Sequence, residues 1–204
     1  LYKLAVIVPF YKGVESSIEQ SLVDEFSSIS DDVLRNIQLI FVDDCSLVPL
    51  NIVIKNERLN FSLYRIDTDI NWNVGGAKNL GAHLSEAEIL LFFDADRCIK
   101  EDAIKYLLKL DINENQHVVF VNEKKGSPGT LCTTRKRFLE LKGFDEKFSG
   151  NYGFEDINYR IRHENSGGSF IEVDGFISIR QRYQHHTLKR DRIVNRKIMS
   201  DIEP

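Results

Sequence analysis

Three of the close carboxylate pairs in this 204-residue chain stand beside apolar runs or glycine-rich loops: Asp43-Asp44, Asp94-Ala95-Asp96 and Glu155-Asp156. Asp94 and Asp96 follow five apolar residues, Ile89 to Phe93, which read as a strand buried on both faces. At a strand's end residues i and i+2 point the same way, so both carboxylates would face one ligand. Two acids that close repel unless a cation relieves them. The natural occupant is a divalent ion bridging to a phosphate; the plainer reading is a strand running into an acidic turn. Asp43-Asp44 repeats the arrangement after the apolar run Gln38 to Val42. Gly75-Gly76 allows a ligand close to the backbone. Lys78 and Asn79 fall in the first turn of the helix that follows, where backbone N–H groups favour anions. An ordinary helix start is the alternative there. Glu155-Asp156 opens another helix, where acids are commonly capping or dipole partners.

The elements that must position these groups alternate. Leu4 to Val8 is a β-branched apolar run and stops at Pro9, which cannot donate to a ladder. Ile18, Leu22, Phe26 and Ile29 fall at helical spacing, with Ser16 or Ser17 as N-cap. Gln38–Val42 and Phe61–Ile66 read as strands, and the weakly patterned residues 47–59 allow a short helix. Ala77, Leu80 and Leu84 make a helical stripe before the central strand, and Ala103, Ile104, Leu107 and Leu108 another after it. His117–Val121 and Leu131–Thr133 read as strands around a mobile loop, residues 123–129. Phe138, Leu139 and Leu141 sit on a short helix. The helix from Glu155 turns Ile157 and Ile161 inward. Strands near Ser169–Val173 and Gly175–Arg180 precede a basic tail that holds His185 and His186. Such alternation argues for an α/β domain with a mostly parallel central sheet.

Bulk properties narrow the partners. At this length a single domain over residues 1–204 is expected, with a ligand-binding half to about residue 98 and a second half from about residue 99. A net charge of −4 argues against nucleic acid. Three cysteines outside CxxC spacing read as free thiols in a reducing compartment. No apolar run approaches transmembrane length and no signal peptide is visible, so a cytoplasmic protein is expected. The basic stretch Lys189–Lys197 could touch an anionic membrane surface, although a solvated charged helix explains it as well.

Taken in order, Val-Ile-Val-Pro-Phe-Tyr, Phe-Val-Asp-Asp-Cys-Ser, Asn-Val-Gly-Gly-Ala-Lys-Asn-Leu-Gly and Phe-Phe-Asp-Ala-Asp resemble the family-2 glycosyltransferases with a GT-A fold. Gly143-Phe-Asp-Glu-Lys-Phe, Glu155-Asp156 and then His186 resemble the C-terminal half of the related galactosyltransferase and chondroitin-polymerase domains. The resemblance implies a Rossmann-like domain that binds a UDP-sugar and moves its hexose or N-acetylhexosamine, with inversion, to a glycan or lipid-linked saccharide hydroxyl. It implies that Pro9, Phe10 and Tyr11 border the nucleotide and that Asp43 or Asp44 accepts from the uracil. Gly76, Lys78, Asn79, Asp94 and Ala95 belong to the same donor site, with Lys78 reaching the acceptor side or a phosphate and Asp94 near the ribose. Asp96 and His186, or His185 in its place, would hold Mn2+ or Mg2+. Asp156 matches the catalytic base, and Glu155 orients the acceptor or shares that role.

The chain departs from the pattern in two places. Tyr152-Gly153-Phe154 stands where the galactosyltransferases have Trp-Gly-Gly, and Lys78 replaces a commoner Arg. Lys cannot make the bidentate contact of an Arg. An aspartyl phosphatase would carry Asp-x-Asp on its first strand. A sugar nucleotidyltransferase would need a Gly-rich basic loop where Pro9-Phe10-Tyr11 stands. The non-enzymatic alternative is a catalytically silent nucleotide-sugar-binding module of a larger glycan-assembly protein.

Overall fold

A computed structural model of the chain describes residues 1–11, 18–121, 129–179 and 189–202. The expected N-cap at Ser16 or Ser17, most of the 123–129 loop, and both His185 and His186 lie outside the described residues.

The strands are β1 (Leu4–Phe10), β2 (Ile37–Asp44), β3 (Asn60–Ile66), β4 (Ile89–Phe92), β5 (Arg97–Ile99), β6 (Gln116–Val121), β7 (Leu131–Thr134), β8 (Ser169–Asp174) and β9 (Ile177–Ile179). The helices are α1 (Ile18–Ser27), α2 (Asp31–Leu34), α3 (Val74–Leu84), α4 (Glu101–Lys109), α5 (Arg135–Glu140), α6 (Glu155–Asn165) and α7 (Ile193–Ile202). Seven strands form one sheet in the order β3-β2-β1-β4-β7-β6-β8. Every pairing in it is parallel except the two made by β7. This is the mostly parallel, helix-flanked sheet of a GT-A fold.

Alternation along the strands divides the core into two layers. Leu4, Val6 and Val8 of β1 face Leu22 and Phe26 of α1 and, with Leu91 of β4, Ile104 and Leu107 of α4. Ala5 and Ile7 face the opposite way, toward Ala77 and Ala82 of α3, Phe138 of α5 and Tyr159 of α6. Gly81 of α3 lies so close to Ile7 that a Cβ there would overlap its Cγ2. The glycine lets the helix lie directly on the sheet. Burying each large aliphatic or aromatic side chain in these layers contributes about 1.5–3 kcal/mol.

Four expectations change. β1 does not stop at Pro9 but runs on to Phe10, paired with Asp43 of β2. Its pairing with β4 ends at Ile7↔Phe92, so the missing N–H of Pro9 faces a side where the ladder has already ended. Residues 47–59 contain no helix. They form a strap held by Gln20, whose side chain donates to Val53 O and accepts from Val53 N, each at 2.8 Å. On α6 the buried residues are Asn158, Tyr159 and His163, not Ile157 and Ile161, which are only half-buried. The aromatic ring of Tyr159 packs among Phe138, Phe144 and His117 and fills that layer. Finally, the strand expected over Gly175–Arg180 is β9, which begins only at Ile177 and pairs with β5 in a separate two-stranded sheet.

Candidate active site

Strands β1, β2 and β4 are adjacent and parallel, so their carboxyl ends meet at one sheet edge. The chain moves from β1 outward to β2 and β3, then returns to the other side of β1 as β4. The crevice at such a reversal is where open α/β sheets bind ligands. Asp43 and Asp44 end β2 there, and the Asp94–Asp96 segment leaves β4 at the same edge.

The two acids at the end of β2 differ in what they touch. Asp43 accepts from Ser46 N at 2.9 Å through Oδ1 and from the Arg65 guanidinium through Oδ2. Both of its oxygens therefore hold the 43–46 turn and the end of β3. Asp44 accepts from Asn73 Nδ2 at 3.0 Å through Oδ1. Burial raises its pKa to about 6, with the charges of Asp69 and Asp43 adding to the effect. The phenol of Tyr11 is also raised, first by burial and then by Asp69, Cys45 and Asp44. Tyr11, Asp44 and Asp69 thus share one electrostatic neighbourhood. Phe10 sits in the core, its ring 4.5 Å from that of Phe41.

Beyond β4 the strand alternation ends. Asp94 O accepts from Arg97 N at 3.0 Å, closing a tight turn over Asp94–Arg97 with half-buried Ala95 at its tip. The two carboxylates are therefore presented by a turn and not by an extended strand. Asp94 accepts from Lys78 Nζ at 3.1 Å, while Asp96, one third exposed at its side chain, stands 3.3 Å from Arg97 Nε. Lys78 is buried and donates also to Gly129 O at 3.0 Å. A Cβ on Gly129 would overlap Asp94 Oδ2, so glycine lets β7's lead-in lie against this carboxylate as it stands.

Lys78 is the positive centre of an acidic group. Burial alone would lower its pKa, but the carboxylates of Asp94, Glu155 and Asp156 together hold it above its ordinary value. Glu155 is pushed up to about 7 by burial and by the adjacent Asp156. Asp156 is also raised by burial. One cation among three half-buried carboxylates leaves Glu155 able to hold a proton near neutrality. Asp156 Oδ1 meanwhile accepts from Ile157 N at 2.8 Å.

Asparagines fix the loops that carry these acids. Asn73, at the start of α3, ties Asp44 to Ser149, whose Oγ donates to Asn73 Oδ1 at 2.9 Å. Asn79 donates to Phe144 O at 2.9 Å and to Glu146 Oε1 at 2.8 Å, and accepts from Phe144 N at 2.8 Å. Asn195 of α7, fully buried, donates through Nδ2 to Phe148 O, Asn151 O and Gly153 O at 2.7–3.0 Å. Three of the four described non-glycine residues with positive φ flank the site: Cys45 after Asp44, Trp72 before Asn73 and Phe154 before Glu155. Such backbone conformations cost of order 1–3 kcal/mol each and persist where the surroundings enforce them.

The residues expected at the site are thus largely gathered, but several face inward. Tyr11, Asp44, Asp94, Ala95, Asp96, Glu155 and Asp156 belong to it, and Pro9 is half-buried at its sheet edge. Phe10 is core, Asp43 is a turn clamp, and the Asn79 amide is engaged by the 144–146 loop. A Cβ on Gly76 would overlap the Asn73 carboxamide, so that glycine makes room for Asn73. Lys78 reaches Asp94. Asn73 and Asn195 were not singled out in the sequence, because an isolated asparagine carries no periodic signal. Among the described residues no three His, Cys, Asp or Glu side chains gather as a metal-holding group. The three cysteines are free thiols, and no described helix is long and apolar enough to cross a membrane.

Comparison with known proteins places this geometry. The sequence model of "Glycosyl transferase family 2" matches residues 5–186. An uncharacterized glycosyltransferase of Haemophilus influenzae is 29% identical over 120 residues, which are 58% of this chain and 37% of that protein. The crystal structure of S. aureus TarS 1-349 in complex with UDP-GlcNAc superposes with a TM-score of 0.66 at 16% identity, covering 90% of this chain and 60% of that one. A second structure of TarS 1-349 gives 0.59 at 18% identity, over 79% of this chain and 55% of that one. The chain therefore spans little more than a third of the curated relative and under two thirds of these structures.

Proposed function

The chain belongs to glycosyl transferase family 2, and from that premise we propose that it transfers a hexose or N-acetylhexosamine from a UDP-sugar, with inversion, to a hydroxyl of a glycan or lipid-linked saccharide. The observation that carries the reading is the meeting of Lys78, Asp94, Glu155 and Asp156 beside the sheet's reversal point. Binding of UDP-GlcNAc by TarS supports UDP as the nucleotide.

In this reading Asp44 accepts from the ring N–H of uracil. It is favoured over Asp43 because both oxygens of Asp43 are engaged by Ser46 and Arg65. Asp94, steadied by Lys78, lies by the ribose. The acceptor hydroxyl attacks the anomeric carbon as the bond to the diphosphate breaks, and Asp156 takes the hydroxyl proton during the attack. A hydroxyl is a poor nucleophile until that proton leaves. A carboxylate raised by burial is the stronger base for it. Glu155, the neighbour with a pKa near 7, orients the acceptor or shares the proton. A single base opposite the leaving group gives inversion.

The donor set suits a hard cation. Mg2+ or Mn2+ needs only one or two protein carboxylates when a diphosphate supplies further oxygens, and Asp96 offers a partly exposed carboxylate on the turn. Asp96, with His186 or His185, would hold the ion, which when bound neutralises charge on the leaving diphosphate. Gly143-Phe-Asp-Glu-Lys-Phe148 and Glu155-Asp156 support a kinship with galactosyltransferase and chondroitin-polymerase C-terminal halves, from which Tyr152-Gly153-Phe154 departs. Peripheral contact with an anionic membrane surface, in a protein placed in the cytoplasm by this reading, is supported by the basic residues from Lys189 to Lys197 beside exposed Ile193 and Val194.

The test is thermal unfolding with UDP-, GDP- and CMP-sugars, each with and without Mn2+. At a hundredfold excess over Kd, a ligand of the native state adds about 2.7 kcal/mol, or about 5–10 °C in a domain of this size. A metal-dependent shift confined to UDP-sugars is expected. No shift with any nucleotide sugar would overturn the reading.

A further inference from the structure

Next to the candidate base lies a group of side chains that donor binding and proton transfer do not use. Tyr152 meets Trp72 edge-on, with ring centroids 4.7 Å apart and planes at 63°. The guanidinium carbons of Arg190 and Arg192 stand 5.6 and 5.3 Å from the Tyr152 ring centre, and that of Arg192 stands 6.0 Å from the Phe154 ring. Both arginines are exposed. Among the described residues neither is ion-paired with a carboxylate. Asp191 between them turns Oδ1 to its own helix start, accepting from Ile193 N at 2.8 Å.

The arrangement is built, not incidental. Trp72 Nε1 donates to Lys189 O at 3.0 Å and ties the arginine segment to the start of α3. Asn195 holds the other side through the carbonyls of Phe148, Asn151 and Gly153. Gly153 (φ 81°) and Phe154 (φ 79°) both turn left-handed, which brings the aromatic pair directly before Glu155 and Asp156. A guanidinium held over a ring by cation–π attraction gives up none of its N–H donors to an acceptor there, and their fork matches a carboxylate or phosphate.

We propose that Arg190 and Arg192, laid over Tyr152 and Phe154, form a subsite for an anionic group, carboxylate or phosphate, on the acceptor. The proposal rests on the reading of Glu155-Asp156 as the acceptor-activating end of the site. The acceptor's sugar ring stacks on the aromatic pair while its charged substituent is held beside the hydroxyl that reacts. This surface selects charged acceptors over neutral ones of the same size.

The chain's single tryptophan, Trp72, is a built-in reporter. The wild-type protein, Arg190→Gln/Arg192→Gln and Tyr152→Leu are titrated with glucuronate, glucose 6-phosphate and glucose while Trp72 emission is followed. UDP-GlcNAc binding by thermal shift and sedimentation with phosphatidylglycerol vesicles run alongside. The two anions are expected to perturb Trp72 and glucose not to. The double arginine variant is expected to lose about tenfold or more in anion affinity and to keep its UDP-GlcNAc shift. Tyr152→Leu, with both charges intact, is expected to weaken anion binding as well. Equal response to glucose and glucuronate, or unchanged anion binding in the double variant, overturns the proposal. Loss of UDP-GlcNAc binding in that variant would assign the arginines to the donor diphosphate instead. Vesicle binding lost without any response to the soluble anions would assign them to a membrane. A wild-type protein that binds glucuronate through Arg190 and Arg192 but no nucleotide sugar would leave this subsite standing and remove the proposed activity.

Discussion

Replacing Lys78 with methionine keeps a side chain of similar length and removes the one cation in the acidic group. Lys78 is 1% exposed and bonded to Asp94 and Gly129. Breaking a buried pair from one side costs about 3–5 kcal/mol, because the remaining charge is left uncompensated. At about 2–4 °C per kcal/mol for a chain of this size, the melting temperature should fall by about 6–20 °C. The pH dependence separates this cause from lost packing. Without Lys78 the pKa values of Glu155 and Asp156, already raised by burial, rise further, so the folded variant binds more protons than the unfolded chain once pH exceeds the ordinary carboxylate range. Stability then falls as pH rises, by about 1.4 kcal/mol per pH unit for each extra proton held. The deficit against wild type should be larger at pH 8 than at pH 5. Urea unfolding of both proteins at pH 5, 6.5 and 8 measures it. A deficit of equal size at all three would refute the electrostatic account of Lys78.

Asp156→Asn should retain the donor-induced thermal shift and lose transfer by about a hundredfold or more, the usual scale of a general base; full transfer would remove Asp156 from that role. Uridine affinity should fall as pH drops below about 6, where Asp44 takes up a proton, by about tenfold per unit. Uridine is the probe because it carries no phosphate, and Asp44→Asn should flatten the curve. His117 is buried between Tyr159 and His163, with burial lowering its pKa to about 2 and Nδ1 lacking a hydrogen-bond partner among the described residues. The unfolded chain binds a proton that the native fold refuses, so stability should fall by about 1.4 kcal/mol per unit as pH drops below about 6.5. His117→Phe should reduce that slope in acid denaturation followed by circular dichroism, at little cost at pH 7.

The main sheet was legible because its strands are short apolar runs, and because β1, β2 and β4 are buried on both faces. The acidic turns were legible because each follows such a run directly. What escaped depends on contacts between distant residues. The three-residue β5 pairs Arg97 with Ile179, and no local pattern marks either partner. The inward face of α6 is set by Tyr159 and His163, which find stacking partners in His117, Phe138 and Phe144, so composition pointed wrongly to its isoleucines. Asp43 and Asn79 have the residue types of ligand contacts, yet the bonds that engage them come from Arg65 and Phe144, 22 and 65 positions away.

Asn195 has a consequence for the order in which the molecule is made. Its amide fastens Gly153 from 42 positions further along the chain. A nascent chain that has not yet exposed α7 carries most of the sheet and both acidic turns, but the segment leading into Glu155 and Asp156 lacks three of its backbone anchors. The side of the crevice that carries Asp44 and Asp94 is therefore assembled before the side that carries Glu155 and Asp156. Synthesis itself delays the finished constellation until the chain has passed Asn195.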